Sequence, residues 1–491
     1  MKKGRFQHIK RLLGLCFILL TGISAYCQSL HEHEFRTRSD KNKKPPIPEY
    51  VNQEIIPLQA RTGGELTKAV FGYFPEWEYN KARDYIQYDL LSHICLFSFE
   101  LKKDGSMTPP SYWPWTDVIN KAHENGVKVV ISIVNYDSEE FYDFLLDSHA
   151  RKTFYNDLEL LVRDNHLDGV NIDFEHLPIP NRNNMLNDFL LEMHDLLNLI
   201  TPGAEVSFAG PAINAGGWDF VGLAASCDYI FIMGYDFKGG WSDNAGPSSP
   251  LTGGYYNLTR TLEKEYEDVV STNPEKLILG VPYFGNKWIT NSIDAKSGVV
   301  EHVRAYRYRD LIIEGLSSGM LWHDDSNTSW YIKIGGDNTI YQTWFDTRQS
   351  LALKYDLADS YDIKGVGIWA LGYDRDHPEL WNELRSRYLD TSSKTVESAK
   401  QKSEFNIYPN PFVSLSNISF NLIEGGSLTI RIYNQQGKLV AQVARGHFEP
   451  GKHSISKWGS DLPVGSYYCQ FIHTVENTTH SHVKSFLKIK E

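Results

Sequence analysis

From residue 69 onward the chain repeats one unit eight times, a short β-rich run followed in most cases by a stretch with helical spacing. The runs are AVFGYF, HICLFSF, VKVVISIV, DGVNIDFE, AEVSFAG, YIFIMGYD, KLILGVPYF and KGVGIWALG. Apolar runs of this length suit strands buried on both faces, as parallel sheets require. In FYNDLELLVRD, Phe154, Leu158, Leu161 and Val162 fall on one helical face. Eight strands alternating with helices predict an α/β fold, a (β/α)8 TIM barrel over residues 66–390. An open doubly wound sheet is the competitor, but no Gly-rich phosphate loop follows the first run.

The gap between the seventh and eighth runs is about twice the others and holds WYIKIGG and TIYQTWF, which predicts a small inserted lobe. Past Tyr388, residues 391–403 (TSSKTVESAKQKS) read as a linker. Residues 404–491 are short alternating runs punctuated by NQQGK, EPGK and LPVGS, the pattern of an all-β sandwich.

The first 27 residues read as an export signal. Lys2, Lys3, Arg5, Lys10 and Arg11 precede LLGLCFILL, and Ala25 and Cys27 suit a cut ahead of Gln28. The apolar run is short for an anchor helix, and Tyr26 fits a lipoprotein signal poorly. Residues 28–65 read as a polar linker. Its HEHE (His31 to Glu34) could hold a metal, but a solvated tail is expected. The net charge is -12, and loss of the five basic residues in the signal makes it more negative. That argues against nucleic acid or anionic membrane as a partner. Beyond the signal, no segment has the length and apolarity of a membrane span. Cys95, Cys227 and Cys469 show neither disulfide nor zinc spacing and are expected in cores. A monomer is expected.

The fourth run carries the chemistry. In LDGVNIDFEHLP, Val170, Ile172 and Phe174 alternate with Asn171, Asp173 and Glu175, so one face is apolar and the other acidic. A surface strand could turn such a face to water. In a barrel, catalytic groups sit at the C-terminal ends of strands, so the acidic face is expected to look into the mouth. Carboxylate-bearing residues two apart on one strand have Cα atoms roughly 6–7 Å apart on the same side. They cannot flank a sugar ring as a two-carboxylate glycosidase requires. Asp168 reads as structural, and His176 as a loop residue. The tryptophans between Trp113 and Trp344 divide between sugar-stacking and core.

DGVNIDFE resembles the D-x-x-D-x-D-x-E signature of glycoside hydrolase family 18, the chitinases and their relatives. MGYD (Met233, Tyr235, Asp236), Trp369 in GIWALG, and GYFPEW (Tyr73, Trp77) are similar to the family's motifs in the same strand order. The resemblance implies Glu175 as the acid that protonates the glycosidic oxygen. The substrate's 2-acetamido oxygen would attack C1, and Asp173 would orient the acetamide and balance the oxazolinium charge. Tyr235 would hold the acetamide carbonyl, Asp236 would position the sugar, and Trp369 would be the floor under it. Asn171, Met233, Tyr73 and Trp77 fall among the implied substrate-binding residues. The resemblance implies no metal and no other cofactor.

Two departures bear on substrate. Asn171 stands where most chitinases have Asp, and the glycine pairing after the third strand is replaced by SIVNYD. Asn171, with QTWFDTRQSLALKYDLA, is more similar to the spore-cortex-lytic branch, which cuts peptidoglycan fragments. The expected function is hydrolysis of β-1,4 bonds in an N-acetylglucosamine-containing polysaccharide. The alternatives are an endo-N-acetylglucosaminidase on peptidoglycan or N-glycans, and a lectin of this fold that binds without cutting. Lectins of this kind lose the acid, whereas Glu175 is present. The tail resembles the sorting domain of type IX secretion through NIYPNPF, IYNQQGKLV and LPVGSYYCQF. That implies the type IX machinery as a partner and a secreted or cell-surface location. A carbohydrate-binding sandwich is its alternative.

Overall fold

Seven of the eight runs form consecutive strands: β1 (Ala69–Pro75), β2 (His93–Leu101), β3 (Lys128–Val134), β4 (Gly169–Asp173), β5 (Glu205–Pro211), β6 (Tyr229–Met233) and β7 (Leu277–Pro282). These coordinates are a computed structural model that describes residues 29–61, 64–390, 404–422, 424–434, 438–475 and 478–490. The segments expected to be an export signal (1–27) and a linker (391–403) lie outside the described residues. Between β7 and the eighth barrel strand comes an antiparallel sheet: β8 (Phe284–Thr290), β9 (Val299–Arg307), β10 (Leu321–His323), β11 (Thr328–Ile334) and β12 (Ile340–Phe345). The eighth barrel strand is β13 (Gly365–Trp369). It pairs in parallel with both β7 and β1, and β1 pairs with β2, so the parallel sheet closes on itself.

Both faces of the barrel strands are dry. Outside, Phe174 packs on Phe141 at 3.9 Å and on Phe189 of helix Asn184–Ile200. Inside, Phe71, Tyr73 and Phe231 contact one another at 4.9–5.4 Å. Phe231 fits because β7 and β13 carry glycines beside it: a Cβ on Gly367 would stand 2.0 Å from its ring, and one on Gly280 2.4 Å. Burial of each such ring stabilises the barrel by about 1.5–3 kcal/mol. The helices are cut to length by caps. Asp147 closes helix Ser138–Leu146 and caps the next, Ser148–Asp164, through His149 N at 2.8 Å. That second helix buries Phe154, Leu158 and Val162.

The inserted lobe has its own core of Trp288, Trp330 and Trp344, the last two stacked at 4.9 Å. These tryptophans are structural, and so is Trp115. Arg307 and Arg309 reach back from the lobe to buried Glu78 on the barrel, at 2.6 and 3.1 Å.

One expectation fails. Residues 31–34 are not a solvated tail: Leu30–Arg38 form helix α1, with His31, Glu32 and Glu34 buried. The sequence there has no apolar stripe to announce burial. The helix is held instead by polar groups matched to the barrel mouth, as described below.

The second unit of the chain spans Ser392–Glu491. Strands β14 (Glu404–Tyr408), β15 (Ser416–Leu422) and β18 (Gly451–Trp458) make a three-stranded sheet. Strands β16 (Gly426–Asn434), β17 (Leu439–Phe448), β19 (Gly465–Val475) and β20 (Thr478–Lys488) make a four-stranded one. In β15, Ser416, Ile418, Phe420 and Leu422 point inward and the residues between them outward. Phe405, Phe420 and Phe471 join the two sheets at 5.0–5.4 Å, giving the expected sandwich. Cys95, Cys227 and Cys469 are buried and free. Among the described residues no helix is long and apolar enough to cross a membrane.

Candidate active site

The polar face of β4 looks into the barrel mouth. Asn171 and Asp173 are fully buried, and Glu175 follows two residues past the strand end. The Tyr73 hydroxyl donates to Asn171 Oδ1 at 2.7 Å, and Asn171 Nδ2 donates to Ser207 Oγ at 3.0 Å. Both functions of the amide are thereby used. On the outer edge Asp168 accepts from Val129 N at 2.7 Å and from His123 Nε2 at 3.0 Å, a structural role as expected.

Burial pushes the Asp173 carboxyl up to about 8, against a lowering from its hydrogen bond with Glu175. Burial also pushes Glu175 up to about 8, and the neighbouring Asp173 charge adds to the rise. Two carboxyls this close in a dry site favour holding a shared proton near neutrality. Glu175 can therefore be a proton donor and Asp173 a charge partner.

Tyr235 and Asp236 follow β6. Asp236 sits at φ +63°, which a short polar residue tolerates. Burial lifts its carboxyl to about 7, partly offset by hydrogen bonds from Leu30 N and Ser248. Trp369 closes β13 and is fully buried. Trp77 stands behind it, edge-on at 6.5 Å, and donates through Nε1 to the Tyr373 hydroxyl at 3.0 Å. Met233, Tyr235, Glu175, Trp218 and Phe237 line a cavity of about 580 Å³ that opens beside α1.

All nine site residues named from the sequence thus lie in or next to one mouth. Sequence reasoning missed the occupant. His31 Nδ1 lies 2.8 Å from Asp173 Oδ2, and its Nε2 lies 2.7 Å from the Tyr235 hydroxyl. The imidazole stacks on Trp369 with centroids 3.6 Å apart. Glu34 accepts from Trp369 Nε1 at 3.1 Å and from the Tyr373 hydroxyl at 2.5 Å. His176, on the loop after Glu175, pairs with Glu32 at 2.8 Å. The HEHE run was the available signal for the helix, and Tyr373 had none. His31, Asp173 and Glu175 offer ligand atoms within 4.8 Å of one another. Both His31 nitrogens are already hydrogen-bonded, so a cation there would have to displace those bonds.

Residues 69–374 match the family model described as glycosyl hydrolases family 18. Residues 406–485 match the secretion system C-terminal sorting domain, so the protein is secreted or carried at the cell surface. Human di-N-acetylchitobiase is 25% identical over 305 residues, 55% of this chain and 75% of that protein. The crystal structure of a chitinase from Cycas revoluta superposes with a TM-score of 0.57 at 20% identity, covering 65% of this chain and 99% of that one. The spore cortex-lytic enzyme of Bacillus cereus superposes at 0.55 and 17% identity, covering 66% of this chain and 75% of that one. Strand order, the acidic end of β4 and a family match over more than half the chain agree: this protein is a glycosidase and belongs to glycosyl hydrolase family 18.

Proposed function

We propose that the barrel cleaves β-1,4 bonds of polymers containing N-acetylglucosamine by substrate-assisted, retaining catalysis. Glu175 protonates the leaving oxygen. The substrate's acetamide oxygen attacks C1, and Asp173 balances the oxazolinium charge. Tyr235 donates to the acetamide carbonyl, Asp236 positions the sugar, and Trp369 supports the distorted ring. Asn171 and Tyr73 hold the inner wall, with Met233 and Trp77 beside it. The observation that carries this reading is that Asp173 and Glu175 leave one strand on the same side of the site. A nucleophile opposite the acid then has to come from the substrate.

Two successive inversions at C1 give retention. NMR spectra taken early in the hydrolysis of chitin oligomers should show the β anomer first. Oligomers of plain glucose should be nearly inert. An α anomer formed first would overturn the mechanism. Because α1 occupies the mouth, the assay is run on the parent chain and on His31→Ala/Glu34→Ala.

Peptidoglycan and N-glycans carry the same 2-acetamido group, and Asn171 favours peptidoglycan as a second reading. Product analysis on the three substrates side by side separates them. Glu175 stands against a lectin.

A further inference from the structure

A neutral imidazole carries one N–H donor and one lone pair across a flat ring. An acetamide offers the same two functions, an N–H and a carbonyl. His31 uses both against the groups that the proposed reaction assigns to the acetamide. With the proton on Nδ1, it donates to Asp173 and accepts from the Tyr235 hydroxyl. Its ring covers Trp369, where the sugar would lie. Burial holds His31 down to about 4, against the raising influence of Glu175 and Glu34, so it docks uncharged at neutral pH.

The rest of the segment is fitted as closely. The Leu30 N–H, at the positive end of α1, donates to Asp236 Oδ2 at 2.7 Å. The Ser29 hydroxyl reaches Glu175. Glu34 ties down Trp369 and Tyr373. Beyond the helix, Asp40 N and Lys43 Nζ fasten on Glu76 at 2.9 and 3.1 Å, and Ser39 also bonds to it. Behind this second anchor the chain emerges. Lys41, Asn42 and Lys44 are exposed, as are Val51 to Glu54, with Val51 58% exposed.

We infer that the barrel mouth is also a peptide-binding site whose occupant is this chain's own residues 29–43, so that the protein is latent until an endopeptidase cuts the exposed stretch behind them. The inference rests on the substrate reading above, because sugar and His31 compete for Asp173, Tyr235 and Trp369. A tethered ligand acts at an effective concentration on the order of mM, which a free substrate must exceed. Cutting the tether removes that advantage, and the segment then leaves on dilution.

The test uses the chain without its export signal, with the exposed Val51–Glu54 replaced by an Ile-Glu-Gly-Arg cleavage site. Turnover of a fluorogenic N,N'-diacetylchitobioside and binding of N,N',N''-triacetylchitotriose are measured before and after cutting and gel filtration. The double variant His31→Ala/Glu34→Ala, uncut, serves as a second route to an open mouth. We expect kcat/KM to rise at least about tenfold on cutting and in the double variant. A synthetic peptide of residues 29–44 should inhibit the cut enzyme competitively. Equal kcat/KM in the uncut, cut and double-variant forms would overturn latency and leave the glycosidase reading standing. Triose binding that appears on cutting, with no hydrolysis by any form, would uphold the plug and overturn the substrate reading instead.

Discussion

Tyr73 and Asn171 share a 2.7 Å hydrogen bond inside the barrel, with the phenol donating to the amide oxygen. The other end of the amide donates to Ser207. This explains why an amide suits position 171: it satisfies a donor on one strand and an acceptor on another. Asn171→Asp would add a carboxyl to a dry site that already holds Asp173. It should cost about 1–3 kcal/mol at pH 8. The introduced group has a raised folded pKa, so the loss should shrink toward pH 5, where it is protonated. Urea melts at the two pH values check the sign.

Glu175→Gln should preserve fold and ligand binding and lower turnover by a factor of about 10² or more. Turnover close to that of the parent would remove Glu175 from the role of acid. The comparison is best made in the cleaved form described above, so that α1 does not mask the difference.

The same variant has a stability signature. Burial, then the Asp173 charge, raises Glu175 from 4.5 to about 8. A carboxyl with a raised folded pKa contributes stability that is full below its unfolded value and lost as pH rises through the folded one. Glutamine mimics the protonated form at every pH. Glu175→Gln should therefore be more stable than the parent at pH 9, by up to about 5 kcal/mol, and match it near pH 4.5. Equal melting temperatures at both pH values would show that Glu175 is not held protonated.

Lys354 and Asp346 form a buried ion pair on and beside helix Arg348–Ser360, with the ammonium 0% and the carboxylate 2% exposed. Burial lowers the Lys354 pKa, and Asp346 opposes the shift. Asp346→Ala leaves a charge in the interior without its partner. It should cost about 3–5 kcal/mol, more than a surface truncation would. Replacing both partners by apolar residues of similar volume should recover most of that loss. Thermal melts of the single and double variants report it.

Maturation is expected to remove both ends. Mass spectrometry of protein from the native host should find an N-terminus near Gln28 for the latent form, a later one for the active form, and loss of residues after about 403. An intact tail on the exported protein would count against the sorting role. Deleting residues 404–491 should leave kcat/KM on soluble oligomers unchanged. Loss confined to insoluble polymer would identify a binding module instead.

The barrel was legible because its signals are local. A strand buried on both faces needs an apolar run, and a helix needs one apolar stripe, so eight repeats of that pair specify a closed parallel sheet. The same period-two rule sent Asn171, Asp173 and Glu175 into the mouth and alternated the residues of β15 between core and solvent. The placement of α1 has no such local signature. Its nine residues have little apolar periodicity, and what holds them lies far away in the chain. Asp173 is 142 residues from His31, and Tyr373 is 339 from Glu34. The division of the other tryptophans was equally hidden: Trp288 and Trp344 fill the lobe, whereas Trp218 lines the cavity at the mouth. Periodicity reports which face of an element is dry. Which polar group meets which across the fold depends on distances and directions that exist only once the strands have closed.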